Sequence, residues 1–595
     1  MDNNIYLFEI SWEVCNKVGG IYTVIKSKTA DVKAIFGKYF AVGPYFPEKH
    51  ASEFVEEKAP EEFLKAFESV KKEGIECHYG KWLTDVDIDA VLIDFSRFAS
   101  RKNDIKEELW NNFKVDSLYT SYFDFDEPVI WAYAAGRLVE ELSREKKVIA
   151  HCHEWLAGAA LLYLKSRKAK AATVFTTHAT VLGRSLSGAG VDIYESYESK
   201  EKVDLDKPEY RSSIAPKHRV EEQAAKSADV FTTVSEITSI EAERFLGRKA
   251  DVLLLNGLNI GKFPTFEEAS IKHHLFKGKI KEFLLYYFFP YYNFDLDNTL
   301  LYFLAGRYEF RAKGIDTFIQ ALGELNRRLI AEKSGRTIIA FFWVPANVQG
   351  IKHELAESRT VFKDVKDSIT DEHDILMERL LTSIISGRSI CDETYLLGKS
   401  LISEVKRKLL RFKRSGTPPL TTHNLRNEDS DEILSAFRSA GLLNKAEDRV
   451  KVILYPTYLT GADNLIDLSY YEAMQGSHLG VFPSFYEPWG YTPVEAAALG
   501  VSSVTTDLAG FGRYICKSCQ LKKNPGIFVI KRFGKSYDEV VKEIAKVLYE
   551  FAALSAQDRI KNKIEAKRIA SVTDWKYMVK NYFKAYELAV RKRGL

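Results

Sequence analysis

Short apolar runs that break off into polar residues, each followed by a stretch with helical spacing, constrain this chain more than any other feature. Residues 5–10 lead into a Gly19-Gly20 turn and then into Ile21, Val24, Ile25, Val32 and Ile35 at the period of a helix. Residues 147–150 run into His151, 172–176 into Thr177-His178, and 230–234 into Ser235-Glu236. The alternation pauses over a long helical and aromatic stretch, about 265–295. It resumes with 302–305, a helix keeping Ile315, Phe318, Ile319, Leu322, Leu325 and Leu329 on one face, and 337–344. Further strands are expected at 450–454, 479–482, 501–505 and 527–530. Strands alternating with helices build parallel sheets covered on both faces, with the polar strand ends gathered where ligands bind. The pattern predicts an α/β protein of two Rossmann-like domains facing a deep cleft, 1–265 and 266–572. A helical insertion without a clear strand is expected at about 350–447, and a final helix at 573–595. A chain of 595 residues is too long for one core, which agrees with two.

Composition removes other classes. The 85 basic and 82 acidic residues leave a formal charge of +3, so no global field points to nucleic acid. Six cysteines in so long a chain, with no secretory leader pattern at the start, predict a reducing, cytoplasmic setting. The most apolar run, FLLYYFF at 283–289, is far short of the roughly 20 residues that span a bilayer.

The segment FYEPWGYTPVEAAALG, 485–500, places Glu487 and Glu495 on either side of a stiff turn. Thr492, Pro493 and Glu495 fit the N-cap, N1 and N3 positions of a capping box, so Glu495 reads either as a helix tie or as a functional acid. Glu487 has no such structural excuse. Trp489-Gly490 follows it, and the glycine lets backbone approach a ligand. The helix start at 492–494 offers N–H groups to an anion such as a diphosphate. The turn Lys17-Val18-Gly19-Gly20 has the same potential, although such turns are common. Arg307 and Lys313 in GRYEFRAKG follow a strand and could clamp phosphate together, or be solvated surface. His151, His153 and Glu154 lack further ligands for a metal site, Asp295-Leu-Asp297 has no companion histidine, and Cys516 and Cys519 form a lone C-x-x-C. The KRKLLRFKR run at 406–414 reads as the solvated face of a helix.

Taken together, LFEISWEVCNKVGGIYTV, HCHEWLAG, FTTHATVLGR, TVSEITSIEAERFLGRKAD, NGLN, FDLDNT, GRYEFRAKGID, HLGVFPSFYEPWGYTPVEAAALGV and TDLAGFG closely resemble the glycogen synthases of the eukaryotic type, from residue 7 to residue 512. Asp574-Trp575 before the last helix is similar too, and the length suggests a shorter prokaryotic member without regulatory tails. The resemblance implies the GT-B glycosyltransferase architecture, with the last helix crossing back to the first domain. It implies transfer of glucose from UDP-glucose to the 4-hydroxyl at the non-reducing end of glycogen, with retention and without a metal or other cofactor. On this resemblance Glu487 lies against the donor glucose and Glu495 lies towards the ribose. Arg307 and Lys313 neutralise the leaving diphosphate, aided by Lys17, the Gly19-Gly20 backbone and the Trp489-Gly490-Tyr491-Thr492 helix start. His178 and Arg184 fall near the donor sugar and phosphates, Asn256 on the sugar side, and Tyr470 on the uracil. An effector helix that binds glucose 6-phosphate corresponds to RIKNKIEAKR, with Arg559, Lys561, Lys563, Lys567 and Arg568. A homo-oligomer, possibly a tetramer, is implied through 265–290 and 350–412. The chain departs from the pattern at Ala312, where asparagine is frequent, and over 350–447. A related transferase using ADP-glucose or another acceptor, and a non-catalytic glycogen-bound scaffold, are the rival readings.

Overall fold

The computed structural model describes residues 4–50, 52–194, 205, 207–387, 393–519 and 524–595. The first sheet has nine strands in the order Phe54–Glu56, Glu76–Trp82, Ile88–Asp94, Tyr39–Pro44, Ile5–Ile10, Lys147–His153, Ala172–Thr177, Val230–Thr233 and Val252–Leu253. Phe54–Glu56, Glu76–Trp82 and Ile88–Asp94 form an antiparallel edge, and every other pairing is parallel. Ile5–Ile10 is buried at every position and lies mid-sheet, so strand order reverses beside it. The second sheet repeats the arrangement with six parallel strands: Val450–Tyr455, Thr337–Trp343, Thr299–Ala305, Leu479–Val481, Ser502–Thr506 and Ile527–Ile530. Thr299–Ala305, buried throughout, is again the strand where the order reverses. Ligands of such sheets bind at these reversals, beyond the carboxyl ends of the strands.

The aromatic run belongs to the helix Phe266–Phe288, opened by a capping box between Thr265 and Glu268. Phe283, Leu284, Tyr287 and Phe288 are buried against Phe341 and Tyr455 of the second sheet. No described helix is long and apolar enough to cross a membrane.

The insertion is smaller than the charge pattern suggested, and it does contain strand. Helices His353–Asp371, His373–Ser386 and Lys399–Phe412 project from the domain, but Val348–Ile351 and His423–Leu425 close their base as an antiparallel pair. These strands are too short to show alternation. The helix Glu432–Ser439 returns to the second core through Ile433, Leu434 and Phe437.

The last helix, Trp575–Arg593, lies on the first domain. Trp575 donates its indole N–H to Ser27 Oγ (2.8 Å), and Leu258 N–H bonds Thr573 O (2.9 Å). Trp489, Val494 and Phe511 of the second domain enter the same apolar cluster as Trp575, Tyr582 and Tyr586. At this end the two domains share a core.

Candidate active site

Both reversal points contribute loops. The strand Thr299–Ala305 delivers Arg307 and Lys313, and the strand Leu479–Val481 delivers Ser484 and Glu487. Lys313 Nζ is ion-paired with Glu487 Oε2, with side chains 18% and 22% exposed. The loops meet closely because Gly314 has φ +69° and a Cβ there would sit 2.2 Å from Pro483 O. A second glycine shapes the far side: Gly490 has φ +95°, and a Cβ would lie 3.2 Å from Glu487 Cγ. The Glu487 loop is pinned by Gly510 N–H to Glu487 O (3.0 Å) and Phe511 N–H to Trp489 O (2.8 Å). Between the loops lies a cavity of about 200 Å³ lined by Arg307, Lys313, Glu487, Gly490, Thr492 and Thr505. The buried Thr505 hydroxyl has no partner among the described residues. Arg307 stands at the mouth, three-quarters exposed and 2.9 Å from Glu309.

The capping-box reading of Glu495 fails. The helix starts at Tyr491 with Gly490 as its N-cap and no side-chain cap bond. Glu495 accepts hydrogen bonds from Tyr471 OH (3.0 Å) and Tyr470 OH (3.3 Å), and burial raises its pKa. With Tyr491 it lines a different cavity of about 480 Å³, shared with Thr23, Ser27 and Asn259 of the first domain. Trp489 does not line the small cavity either; it packs in the shared core against Phe511. The eight-residue spacing thus delivers Glu487 and Glu495 to two cavities.

On the first domain, Lys17 and Gly20 are exposed, but the glycine loop is not an open cradle. Glu13 Oε2 accepts from Gly19 N–H (2.9 Å) and Tyr22 N–H (2.8 Å), so a carboxylate already occupies the amino end of the helix Gly20–Lys33. Glu13 is a site residue that the sequence reading missed; its only signal was an acid six positions before the turn. The turn 178–180 and the start of the helix Val181–Gly188 are held by three buried carboxylates. Glu154 accepts from His178 N–H (3.0 Å) and Ala179 N–H (3.2 Å), Glu221 from Val181 N–H (2.9 Å), and Glu241 from Thr180 N–H (3.2 Å). Burial pushes Glu154 up to about 7, against the pull of the exposed Arg184. Arg184, on the helix Val181–Gly188, also acts on Glu13 and His178, which places it near both the glycine loop and the turn 178–180. Tyr486, next to Glu487, donates its hydroxyl across the domains to Glu241 Oε1 (3.0 Å). Asn256 is buried, and its Oδ1 has no partner among the described residues.

His151 and His153 meet Glu9, not Glu154, with ligand atoms within 4.8 Å of one another. Their polar atoms are engaged. Lys28 Nζ lies 2.6 Å from both Glu9 oxygens, Tyr39 OH also bonds Glu9, and His151 lies between Tyr586 OH (3.0 Å) and Thr176 Oγ1 (2.7 Å). A cation would have to displace the buried Lys28 ammonium. Of the other suspected metal grips, Asp295 Oδ1 accepts from Asp297 N–H (2.8 Å) and Asp297 pairs with Lys281 (2.6 Å). Cys516 lies on the helix Gly510–Cys519, with the Cys519 side chain outside the described residues.

The family model for glycogen synthase matches residues 9–593. The chain belongs to the glycogen synthase family. It is 37% identical over 594 residues to the liver glycogen [starch] synthase of Mus musculus, covering 99% of this chain and 84% of that one. It is 36% identical over 597 residues to glycogen [starch] synthase of Neurospora crassa, with the same coverage. These relatives are eukaryotic and lend no support to a prokaryotic placement. Among solved structures, the catalytic domain of starch synthase IV from Arabidopsis thaliana matches with a TM-score of 0.49 and 14% identity, over 99% of each chain.

Within this glycogen synthase fold, the basic helix Ala556–Ser571 does not present its five cations together. Lys561 pairs with Asp558 (3.3 Å), Arg568 with Glu565 (2.7 Å), and Lys567 donates to Pro264 O and Ala498 O, the latter at 2.7 Å. Arg559 and Lys563 instead face Lys277, His273 and His478. Burial and the neighbouring Lys277 and Arg559 charges bring Lys563 down to about 7.

Proposed function

We propose that this glucosyltransferase moves glucose from UDP-glucose to the 4-hydroxyl at the non-reducing end of glycogen or a related α-1,4-glucan, retaining configuration and using no metal. The observation that carries the proposal is the Lys313–Glu487 ion pair, built from the two loops at the second sheet's reversal point beside the Tyr491–Ala498 helix start. Breaking a glycosyl–phosphate bond puts negative charge on the leaving diphosphate. Arg307, Lys313 and the backbone N–H groups of the helix start supply positive charge fixed in advance, which stabilises that transition state more than the ground state. Glu487, beside them, faces the positive charge that develops on the sugar ring. A cavity of about 200 Å³ accommodates the sugar and its phosphate; the nucleoside extends outside it towards Tyr470. Asn256, with its unpartnered amide oxygen, and His178 contact the sugar from the first domain.

The donor base is set by pocket shape, so ADP-glucose is the rival donor. Incubating the protein with radiolabelled UDP-glucose or ADP-glucose and glycogen decides it. Polymer-bound label sensitive to an α-1,4-glucan hydrolase is expected, with UDP-glucose preferred. A preference for ADP-glucose would overturn the donor, and no incorporation from either would overturn the transfer. A cytoplasmic setting follows from the sparse cysteines, and a homo-oligomer from the exposed apolar face of the inserted helices.

A further inference from the structure

We infer that Glu9 and His153 are positioning residues that fix the tautomer of His178, so that its Nδ1 presents a hydrogen-bond acceptor to the donor sugar. The inference rests on the proposed placement of His178 beside that sugar. The geometry is a chain of short contacts: Lys28 Nζ to Glu9 (2.6 Å), Glu9 Oε1 to His153 Nε2 (2.7 Å), and His153 Nδ1 to His178 Nε2 (2.9 Å). Glu9 and Lys28 have no exposed side-chain surface. Burial favours a neutral Glu9, but Lys28 and the His153 hydrogen bond outweigh it and hold the carboxyl well below its usual range. An ionised carboxylate only accepts, so His153 Nε2 carries the proton and donates. A neutral His153 then has a lone pair at Nδ1, so His178 Nε2 is the donor in the next bond. His178 Nδ1 is left with its lone pair, and the ring's hydrogen bond among the described residues is made by Nε2. Were His153 charged, it would donate at both nitrogens and reverse the His178 tautomer. Burial, with the Lys28 ammonium and, for His178, the neighbouring Arg184, outweighs the pull of Glu9 towards charge on these rings and keeps both pKa values below the usual histidine range.

The adjacent histidine shows what a purely internal network looks like. Thr232 donates to Phe175 O (3.0 Å), so it accepts from Thr176 (2.6 Å), which accepts from His151 Nε2–H (2.7 Å). His151 Nδ1 then accepts from Tyr586 OH (3.0 Å). That chain begins and ends inside the protein. The Glu9 chain ends instead on His178, in the turn that leads into the helix Val181–Gly188 bearing Arg184. A buried ion pair adds little stability over an apolar core of the same volume, whereas an ordered chain of donors is what a fixed tautomer requires.

The test is long-range ¹H–¹⁵N correlation on full-length protein labelled with ¹⁵N-histidine, with the His178 signal assigned by its loss in His178→Asn. The Nε2–H tautomer is expected in the wild type. In His153→Phe, a mixture of tautomers is expected, with kcat for UDP-glucose at least about tenfold lower and KM changed less than about threefold. An Nδ1–H tautomer or an imidazolium in active wild-type protein would overturn the inference alone. So would an unchanged kcat in a folded His153→Phe. Should that variant fail to fold, the wild-type spectrum still decides the tautomer. If no glucose is transferred from either donor, the functional placement of His178 fails while the tautomer measurement stands.

Discussion

Replacing Glu487 by alanine removes the counter-charge of Lys313 in a partly enclosed cavity and, on the proposed function, the carboxylate facing the sugar. Glu487→Ala should lower kcat by more than about tenfold, a loss above ~1.4 kcal/mol, with the fold intact by circular dichroism. Arg307→Ala should cost about 100-fold or more, since a preorganised charge on the leaving group acts mainly in the transition state. Arg307 is three-quarters exposed, so its loss should leave the melting temperature nearly unchanged. If Arg307, Lys313 and the helix start meet the diphosphate charge as proposed, turnover should survive exhaustive chelation. Activity abolished by chelator and restored by one divalent ion would reassign the site to a metal. That Arg307, Lys313 and Glu487 each follow a strand could be read from the sequence, but the residues alone left Arg307 and Lys313 open between phosphate clamp and solvated surface, and only the fold brings all three to one cavity. Glu13 could not: nothing in a linear chain says that an acid will fold back onto the Gly19 and Tyr22 amides.

At the scale of the element, the Glu487 loop depends on Gly490, whose φ of +95° a side chain rarely adopts. Gly490→Ala should cost about 1 kcal/mol of stability and, by pushing on Glu487 Cγ, lower kcat more than that loss alone explains. An unaltered kcat would show that the loop tolerates the shift. The strands of both reversal points were legible as apolar runs with polar ends. The edge strands Phe54–Glu56 and Glu76–Trp82 and the pair Val348–Ile351 and His423–Leu425 were not, because short or half-exposed strands lack that signal. The basic helix is a mixed case: charge was visible, but not that Lys561, Lys567 and Arg568 are engaged elsewhere. With only Arg559 and Lys563 facing Lys277, and an ammonium gripping phosphate less specifically than a guanidinium, glucose 6-phosphate should raise the rate less than tenfold, under about 1.4 kcal/mol of coupling. Lys563 ionises at about 7, so its charge is present below that pH and lost above it. A phosphate monoester is already a dianion there, with a second pKa of about 6. Its affinity should therefore fall between about pH 7 and 8.5, as calorimetric titration would measure, and a rising affinity would exclude Lys563 as the contact.

For the molecule as a whole, the first domain braces the segments on either side of the Lys313–Glu487 pair. Tyr486 reaches Glu241, Arg513 pairs with Glu236 (3.1 Å), and Phe485 and Ala312 pack with Ala179, Ile193 and Tyr194. The contacts of Ala312, Phe485 and Tyr486 are made by chain neighbours of Lys313 and Glu487, so they help fix the two loops that carry the ion pair. The inserted helices do not take part. They carry Ile369, Ile375, Leu381 and Ile384 at exposed positions, with Ile385 84% and Leu410 79% exposed. The KRKLLRFKR run is exposed or half-exposed along its length, as a solvated face requires, but it carries the bare Leu410, while Lys408 bonds Ser368 (2.7 Å) and Arg414 pairs with Glu357 (2.7 Å). Bare aliphatic side chains in this number on projecting helices are costly in water, and exposed apolar surface of this kind is a recurrent mark of an interface. A second copy of the chain supplies the same apolar face, and symmetric pairing of like surfaces is the commonest way to cover one. The protein should therefore be an oligomer at micromolar concentration by light scattering. Ile385→Asp combined with Leu410→Asp, which places two charges in the contact, should shift it towards monomer while leaving most of kcat, because neither residue lines either cavity of the site. A wild-type chain that scatters as a monomer, or a double variant that assembles unchanged, would remove this face from the assembly.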